Sequence, residues 1–159
     1  MPSVVFAIPG DIDTASGGYT YDRRVMELLP AYGIPATHLE LPGSFPAPTD
    51  TCLAETRRLL AATPPDATLL IDGLAYGALP EAMIAGLKRD IVALVHHPLG
   101  YETGLGEARA EELISTERAA LALARHVVVT SRATKRTLER DFGVPIRKVT
   151  VAEPGTDPA

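Results

Sequence analysis

The sequence predicts an α/β domain with a doubly wound parallel sheet, arranged in three layers as α/β/α. With 159 residues, of which 46% are hydrophobic, the chain can form one domain with a substantial core but not two of ordinary size. Short runs rich in Val, Ile and Leu alternate with longer stretches of helical pattern, which is typical of βαβ units. The turn-rich segment EPGTDPA then follows the last apolar run. We therefore expect a domain over residues 1–152 and the start of an interdomain linker over 153–159.

Six apolar runs are the candidate strands. They cover residues 4–8, 36–41, 68–72, 91–95, 126–130 and 149–152. Because a segment long enough for a helical crossover separates each run from the next, all six are expected to be parallel. The predicted strand order is 3-2-1-4-5-6 or a close variant, which makes the first and fourth strands neighbours.

The first helix is predicted between the first two strands. Five apolar side chains recur there at helical spacing and should share one face: Tyr21, Val25, Leu28, Leu29 and Tyr32. Pro30 should tighten or end this helix early.

Four further helices follow from the same patterns. They are expected near residues 54–62, 79–87 and 107–125, and after Ser131. Ser131 can cap the free amides of the last helix, and Gly143 suits a left-handed residue at its end.

Composition excludes several function classes. With 15 basic and 20 acidic residues the net charge is -5, which argues against broad attraction to nucleic acid. The single cysteine, Cys52, can form neither an internal disulfide nor a cysteine cluster for zinc. No stretch approaches the ~20 apolar residues of a membrane span, and no basic leader is visible. We expect a cytoplasmic protein without a stable membrane span.

The loop after the first strand is the first candidate site. Gly17 and Gly18 lie where it enters the first helix, so the backbone and the free amides of the helix could approach an anionic group such as phosphate. A flexible turn without function is the alternative. Neither the spaced-glycine dinucleotide fingerprint nor a P-loop occurs in the sequence.

The loops after the third and fourth strands supply further candidates. Asp72 ends the third strand and could hold a sugar hydroxyl, although it could equally cap the next turn. His96, His97, Tyr101 and Glu102 lie in an unusually long loop after the fourth strand. Adjacent histidines on an extended chain point in opposite directions, so no metal site is predicted. One histidine should face the cleft and hydrogen-bond a hydroxyl or phosphate.

Arg132 is the last candidate. It follows the fifth strand at the start of a helix, where it could reach a phosphate. The alternative is a solvated helix face, since acidic residues alternate with basic ones along this helix.

Four segments together carry a resemblance: SGGYTYDRRVMELL, VALVHHPLGYETGL, ERAALALARHVVVTSRATKRTLERDFGVP and VTVAEPGTDPA. Over nearly the whole chain they resemble the N-terminal domain of bacterial family-four glycosyltransferases, which have the GT-B fold. The family's glycine loop matches Gly17 and Gly18, and its histidine matches His96. The segment that leads into the family's donor domain matches Pro154, Gly155, Thr156 and Asp157.

The resemblance implies a Rossmann-like half of a two-domain enzyme that uses retaining chemistry and a nucleotide-sugar donor. This half would present an acceptor hydroxyl of unknown kind, from a glycan, a lipid or a small molecule. The donor-binding half is not in the sequence, so the chain alone is expected to be inactive, and no catalytic residue is assigned. Neither a cofactor nor a metal is implied. A free-standing α/β module that binds a small ligand or regulates is the alternative, and a reductase-type nucleotide enzyme is disfavoured by the missing fingerprint.

The same topology gives one geometric expectation. If the first and fourth strands are neighbours, the loop with Gly17 and Gly18 and the loop with His96 should converge on one cleft at the carboxyl edge of the sheet.

Overall fold

A computed structural model describes residues 3–155 of the chain. Within them lies a six-stranded sheet in which every neighbouring pair is parallel, as predicted. The strands are β1 (Val4–Pro9), β2 (Ala36–Leu41), β3 (Thr68–Asp72), β4 (Ile91–Val95), β5 (His126–Val129) and β6 (Val149–Val151). The Rossmann-like α/β class is therefore confirmed, and each strand lies within a residue or so of its predicted bounds.

The strand order is β2-β1-β3-β4-β5-β6. The prediction was 3-2-1-4-5-6 or a close variant; the structure differs from the named order in the place of β3, so the expected adjacency of β1 and β4 was wrong. β1 pairs with both β2 and β3, and β3 separates it from β4. The physical reason is visible in the side chains. β2 carries the polar residues His38 and Glu40 and is only partly buried, which suits an edge, whereas β3 is apolar between Thr68 and Asp72 and suits the interior.

Helices connect the strands in the expected places. They are α1 (Gly17–Ala31), α2 (Asp50–Ala61), α3 (Gly73–Tyr76), α4 (Glu81–Leu87), α5 (Glu107–Leu123) and α6 (Arg132–Asp141), with 3₁₀ turns at Leu99–Tyr101 and Ile146–Lys148. α1 ends one residue after Pro30. The helix expected at 79–87 is α4, which begins directly after Pro80, and α3 is an additional short helix that the sequence did not predict. Ser131 caps α6 as predicted, and Gly143 has a φ of +67°.

The core lies on both faces of the sheet. Val5 and Ala7 of β1 belong to the larger cluster, to which α2 through α6 contribute, whereas Phe6 and Ile8 point the other way into a smaller cluster under α1. The predicted apolar face of α1 is only partly correct. Tyr21 and Val25 pack on the smaller cluster, but Leu28 and Tyr32 are 39% and 79% exposed.

α1 instead buries an acid. Asp22 is fully inaccessible to solvent, although a charged residue on a surface helix normally faces water. Its partners lie at the carboxyl edge of the sheet. Over residues 3–155, no helix is long and apolar enough to cross a membrane.

Candidate functional site

The loop after β1 is fixed at its helical end by two hydrogen bonds. The Ser16 side chain caps α1 by accepting from the amide of Tyr19 at 3.1 Å. The Tyr19 hydroxyl donates to the carbonyl of Pro9, the last residue of β1, at 2.6 Å. Together these contacts hold the start of α1 close to the end of β1.

Gly18 packs directly against the ring of His96. A Cβ atom built on Gly18 would lie 3.6 Å from Cδ2 and 3.7 Å from Nε2 of that ring. The predicted proximity of the glycine loop and His96 is thus present, although the adjacency of β1 and β4 from which it was inferred is not. His96 reaches across the end of β3, whose terminal residue is Asp72.

His96 lies between two carboxyl groups. Its Nε2 is 3.0 Å from Oδ1 of Asp22 and 3.5 Å from Oδ2 of Asp72. Tyr21 packs edge-on against the ring, with the centroids 5.4 Å apart and the planes at 87°. These contacts join α1, β3 and the loop after β4, and we call Asp22, Asp72 and His96 the Asp-His-Asp cluster.

Asp72 serves in both of the ways that the sequence left open. Its Oδ1 accepts from the amide of Leu74 at 2.8 Å and so caps α3. Its other oxygen faces His96. One carboxyl group therefore ends β3, starts the next helix and contacts the imidazole.

The pKa values in the cluster are strongly perturbed. Burial alone would lower the pKa of His96, but the hydrogen bonds and negative charges of Asp22 and Asp72 outweigh it and raise that pKa to about 9. Burial raises the pKa of Asp22 to about 8, with Asp72 adding to the rise and His96 opposing it. Burial also acts to raise the pKa of Asp72, but hydrogen bonds from His96, Asp22 and the Leu74 amide lower it overall.

These directions favour a protonated His96 beside an ionised Asp72 at neutral pH, and burial disfavours a charge on Asp22. Oδ2 of Asp22 is buried and makes no hydrogen bond within the described part of the chain. Burying an oxygen without a hydrogen bond costs less free energy in a neutral carboxyl group than in a carboxylate, which agrees with the raised pKa of Asp22.

Among the described residues, the same three side chains form a group that could hold a metal ion. One possible ligand atom from each lies within 4.8 Å of the others. Cation binding would require His96 to lose its proton, and the two carboxyl groups that would share the ion are the ones that raise the pKa of His96. In the absence of a cation, the arrangement favours a buried ion pair between His96 and Asp72 at neutral pH.

Two cavities flank His96. The first, of about 340 Å³, also touches Gly18, Asp72 and His97, and its remaining wall is mainly apolar. The second, of about 760 Å³, lies along α1 and includes Gly17, Arg23 and the segment 153–155. His96 is thus the residue through which the two spaces meet.

The remaining predicted residues are distributed unevenly. His97 and Glu102 lie at the exposed rim of the smaller cavity, with Nε2 and Oε2 3.8 Å apart. Tyr101 points elsewhere, since its hydroxyl donates to Asp141 at 2.6 Å and its ring packs on Phe142.

Arg132, which was predicted to bind a phosphate, and the predicted linker lie toward the end of the described chain. Arg132 is solvent-exposed and pairs with Glu153 at 3.6 Å, in agreement with the alternative of a solvated helix face. Pro154 and Gly155 line the larger cavity, whereas Thr156 and Asp157 lie outside the described residues.

Sequence reasoning missed Asp22. The available signal was its helical position, four residues after Gly18 and three before Val25, which places it on the buried side of α1. An acid in an amphipathic helix is ordinarily solvated, so the pattern alone predicts an exposed Asp22.

Comparison with known proteins identifies a family for this chain. The family model described as Glycosyltransferase Family 4 matches residues 19–159. No curated protein matches the chain well enough to count as a relative. Because the family match begins at the residue after Gly18 and covers most of the chain, we conclude that the chain belongs to Glycosyltransferase Family 4.

Proposed function

We propose that this chain is the N-terminal, acceptor-side domain of a retaining GT-B glycosyltransferase. It positions an acceptor hydroxyl to receive a sugar from a nucleotide-sugar donor, which a second domain binds. The observation that carries this proposal is the Asp-His-Asp cluster packed on Gly18, with one cavity on either side of His96.

The reaction requires positioning and charge stabilisation. The acceptor oxygen forms a bond to the anomeric carbon while the bond from that carbon to the diphosphate breaks, and the hydroxyl proton is released. A protonated His96 donates through Nε2 to the aspartates, and its Nδ1 has no partner among residues 3–155. That second N–H is available to a hydroxyl or to a departing oxygen.

The two cavities suggest separate binding sites for the donor and the acceptor. The larger lies beside the N-terminus of α1, where free amides and the helix dipole favour negative charge. It also touches segment 153–155, which follows β6 in the sequence. We assign the donor's diphosphate and sugar to this side and the acceptor to the smaller cavity.

A matched pair of histidine variants tests the proposal. In the product of the complete reading frame, His96→Gln should lower kcat/KM for glycosyl transfer by roughly 10²-fold, the usual loss when a donor to developing charge is removed. His126→Gln should change it less than about twofold, because His126 begins β5 at the opposite edge of the sheet. Equal activity of both variants would remove His96 from the reaction.

A further inference from the structure

We propose that the acceptor is an alcohol with an apolar body, whose hydroxyl reaches His96 while its carbon atoms fill the smaller cavity. The term acceptor rests on the function proposed above. The assignment of an apolar ligand to this cavity rests on the apolar side chains that line it and on the hydrogen bonds that its polar groups already make.

The wall between the cluster and the rim is built from apolar side chains. Pro46, Leu74, Leu99, Leu105 and Leu113 line it, and they come from the loop after β2, α3, the 3₁₀ turn after β4, the loop that follows, and α5. Gly18 and Gly73 add no side chain to the lining. Five separate segments thus converge on one apolar surface.

Most polar atoms near this surface are already paired. The Tyr19 hydroxyl donates to Pro9, the Ser16 oxygen accepts from the Tyr19 amide, and Oδ1 of Asp72 accepts from Leu74. Polar contacts for a ligand are left mainly at two places, the His96 side of the cluster and the exposed rim with His97 and Glu102. A ligand that fits needs a polar group at one end and few in its middle.

A saccharide does not meet that requirement. It carries a hydroxyl on nearly every ring carbon, and each one buried against leucine without a partner would lower the affinity by about tenfold. An aryl or alkyl alcohol presents one hydroxyl and otherwise gains by leaving water. A volume of about 340 Å³ lies at the small end of ordinary ligand pockets, so the occupant is a compact molecule or the end of a longer chain.

The wall is also fixed in place before a ligand arrives. The Arg109 side chain donates to the carbonyl of Pro46 at 3.0 Å and ties that loop to α5. Oε1 of the buried Glu117 accepts from the amide of Leu99 at 3.0 Å and holds the 3₁₀ turn. A preformed apolar pocket binds an apolar group without an ordering cost.

The test is a titration of the chain followed by amide chemical shifts in NMR spectra. The probes are 2-phenylethanol, 1-octanol and methyl glucoside. Both alcohols should saturate shifts at Gly18, Leu74 and Leu99 with dissociation constants on the order of millimolar, as expected for ligands of this size. Methyl glucoside should leave these amides unchanged at tenfold higher concentration.

One variant and its matched control localise the effect. Leu105→Gln, in a loop at the cavity, should weaken 2-phenylethanol binding by about tenfold, whereas Leu123→Gln, an exposed leucine at the end of α5, should change it less than about twofold. Nuclear Overhauser contacts from 2-phenylethanol to the methyl groups of Leu99 and Leu113 give a second readout that needs no variant. Tighter binding of the aryl alcohol would identify a ring, and tighter binding of octanol would identify a chain.

Two results would overturn the inference. One is stronger shifts at these amides with methyl glucoside than with either alcohol, and the other is no alcohol-dependent shift at all. A different result would contradict the proposed glycosyltransferase function: alcohols bind in the cavity, but the product of the complete reading frame consumes no nucleotide sugar. Transfer to methyl glucoside and to neither alcohol would instead leave the function intact and refute the apolar acceptor.

Discussion

At the scale of single residues, the protonation of Asp22 depends on groups from two other parts of the fold. Its carboxyl lies inside α1, while the groups that perturb it come from the end of β3 and the loop after β4. The neutral carboxyl group is favoured because burial raises the pKa of Asp22 to about 8. A neutral amide of the same shape should therefore replace it with little loss.

We expect Asp22→Asn to change the free energy of unfolding at pH 7 by less than about 1 kcal/mol, since it exchanges one uncharged group for another. Urea denaturation measures this directly. Asp72→Asn is the informative comparison, because the pKa of Asp72 is lowered and its charge is needed. That variant should lose about 2 kcal/mol or more. A larger loss in Asp22→Asn than in Asp72→Asn would contradict the assignment of the proton.

The same pKa values predict that the protein loses stability between pH 7 and 9. His96 has a folded pKa of about 9, above its usual 6.5, so its contribution is present below 6.5 and disappears as the pH rises through 9. Asp22, raised from 3.8 to about 8, also loses its contribution as the pH rises. The melting temperature should fall over this window. The decrease should be smaller in His96→Gln but unchanged in Asp66→Asn, an exposed aspartate remote from the cluster.

At the scale of elements, the N-terminus of α1 places the backbone of Gly18 close to the imidazole ring of His96. Gly18 has no positive φ, and its missing side chain leaves ordinary van der Waals space to His96. Gly17, one residue earlier, has no neighbour within 4 Å of a built Cβ. The two glycines thus form a matched pair for separating the effects of helix propensity from those of site access.

Both Gly17→Ala and Gly18→Ala should fold as stably as the parent or gain up to about 1 kcal/mol from reduced backbone freedom. Only Gly18→Ala places a methyl group against His96, so it should reduce glycosyl transfer by roughly tenfold and more than Gly17→Ala, whose methyl group would meet no atom within 4 Å. Thermal melts and initial rates on the two variants check this. Equal rates would show that the approach of Gly18 to the ring has no role in binding.

The 3₁₀ turn after β4 packs on α5 through another glycine. A Cβ on Gly100 would lie 2.5 Å from Cγ1 of Ile114 and 2.7 Å from the carbonyl oxygen of Ala110. Since one of these neighbours is helix backbone, we expect Gly100→Ala to cost about 1–3 kcal/mol in urea unfolding. Gly86→Ala in α4, where nothing lies within 4 Å, should be neutral or slightly stabilising. A neutral Gly100→Ala would show that the turn can move away from α5.

At the scale of the whole molecule, the secondary structure of each segment could be predicted from the sequence more accurately than its position in the sheet. Apolar runs and helical spacing identified the six strands and the parallel sheet, because these depend on local pattern. The place of β3 beside β1 depends on which strand is better buried, and the polar residues of β2 were the available clue. Asp22 was missed for a related reason, since its burial depends on His96, which lies 74 positions away.

We expect the chain to unfold in one cooperative transition and to show no glycosyl transfer without a donor-binding domain. One sheet with core on both faces predicts the cooperativity, and calorimetry tests it through the ratio of calorimetric to van't Hoff enthalpy. Steady turnover of a nucleotide sugar by this chain alone, lost in His96→Gln, would show that the domain is sufficient for catalysis.

Tyr21 gives the domain a mechanical connection between its imidazole and the chain beyond the last strand. Its ring rests edge-on against His96, while its hydroxyl donates at 2.7 Å to the carbonyl of Ala152, directly after β6. A pull on the chain beyond β6 therefore acts on the tyrosine and, through it, on the orientation of the imidazole. Hinge motion of a domain attached there would change the orientation of His96 without a ligand passing between them.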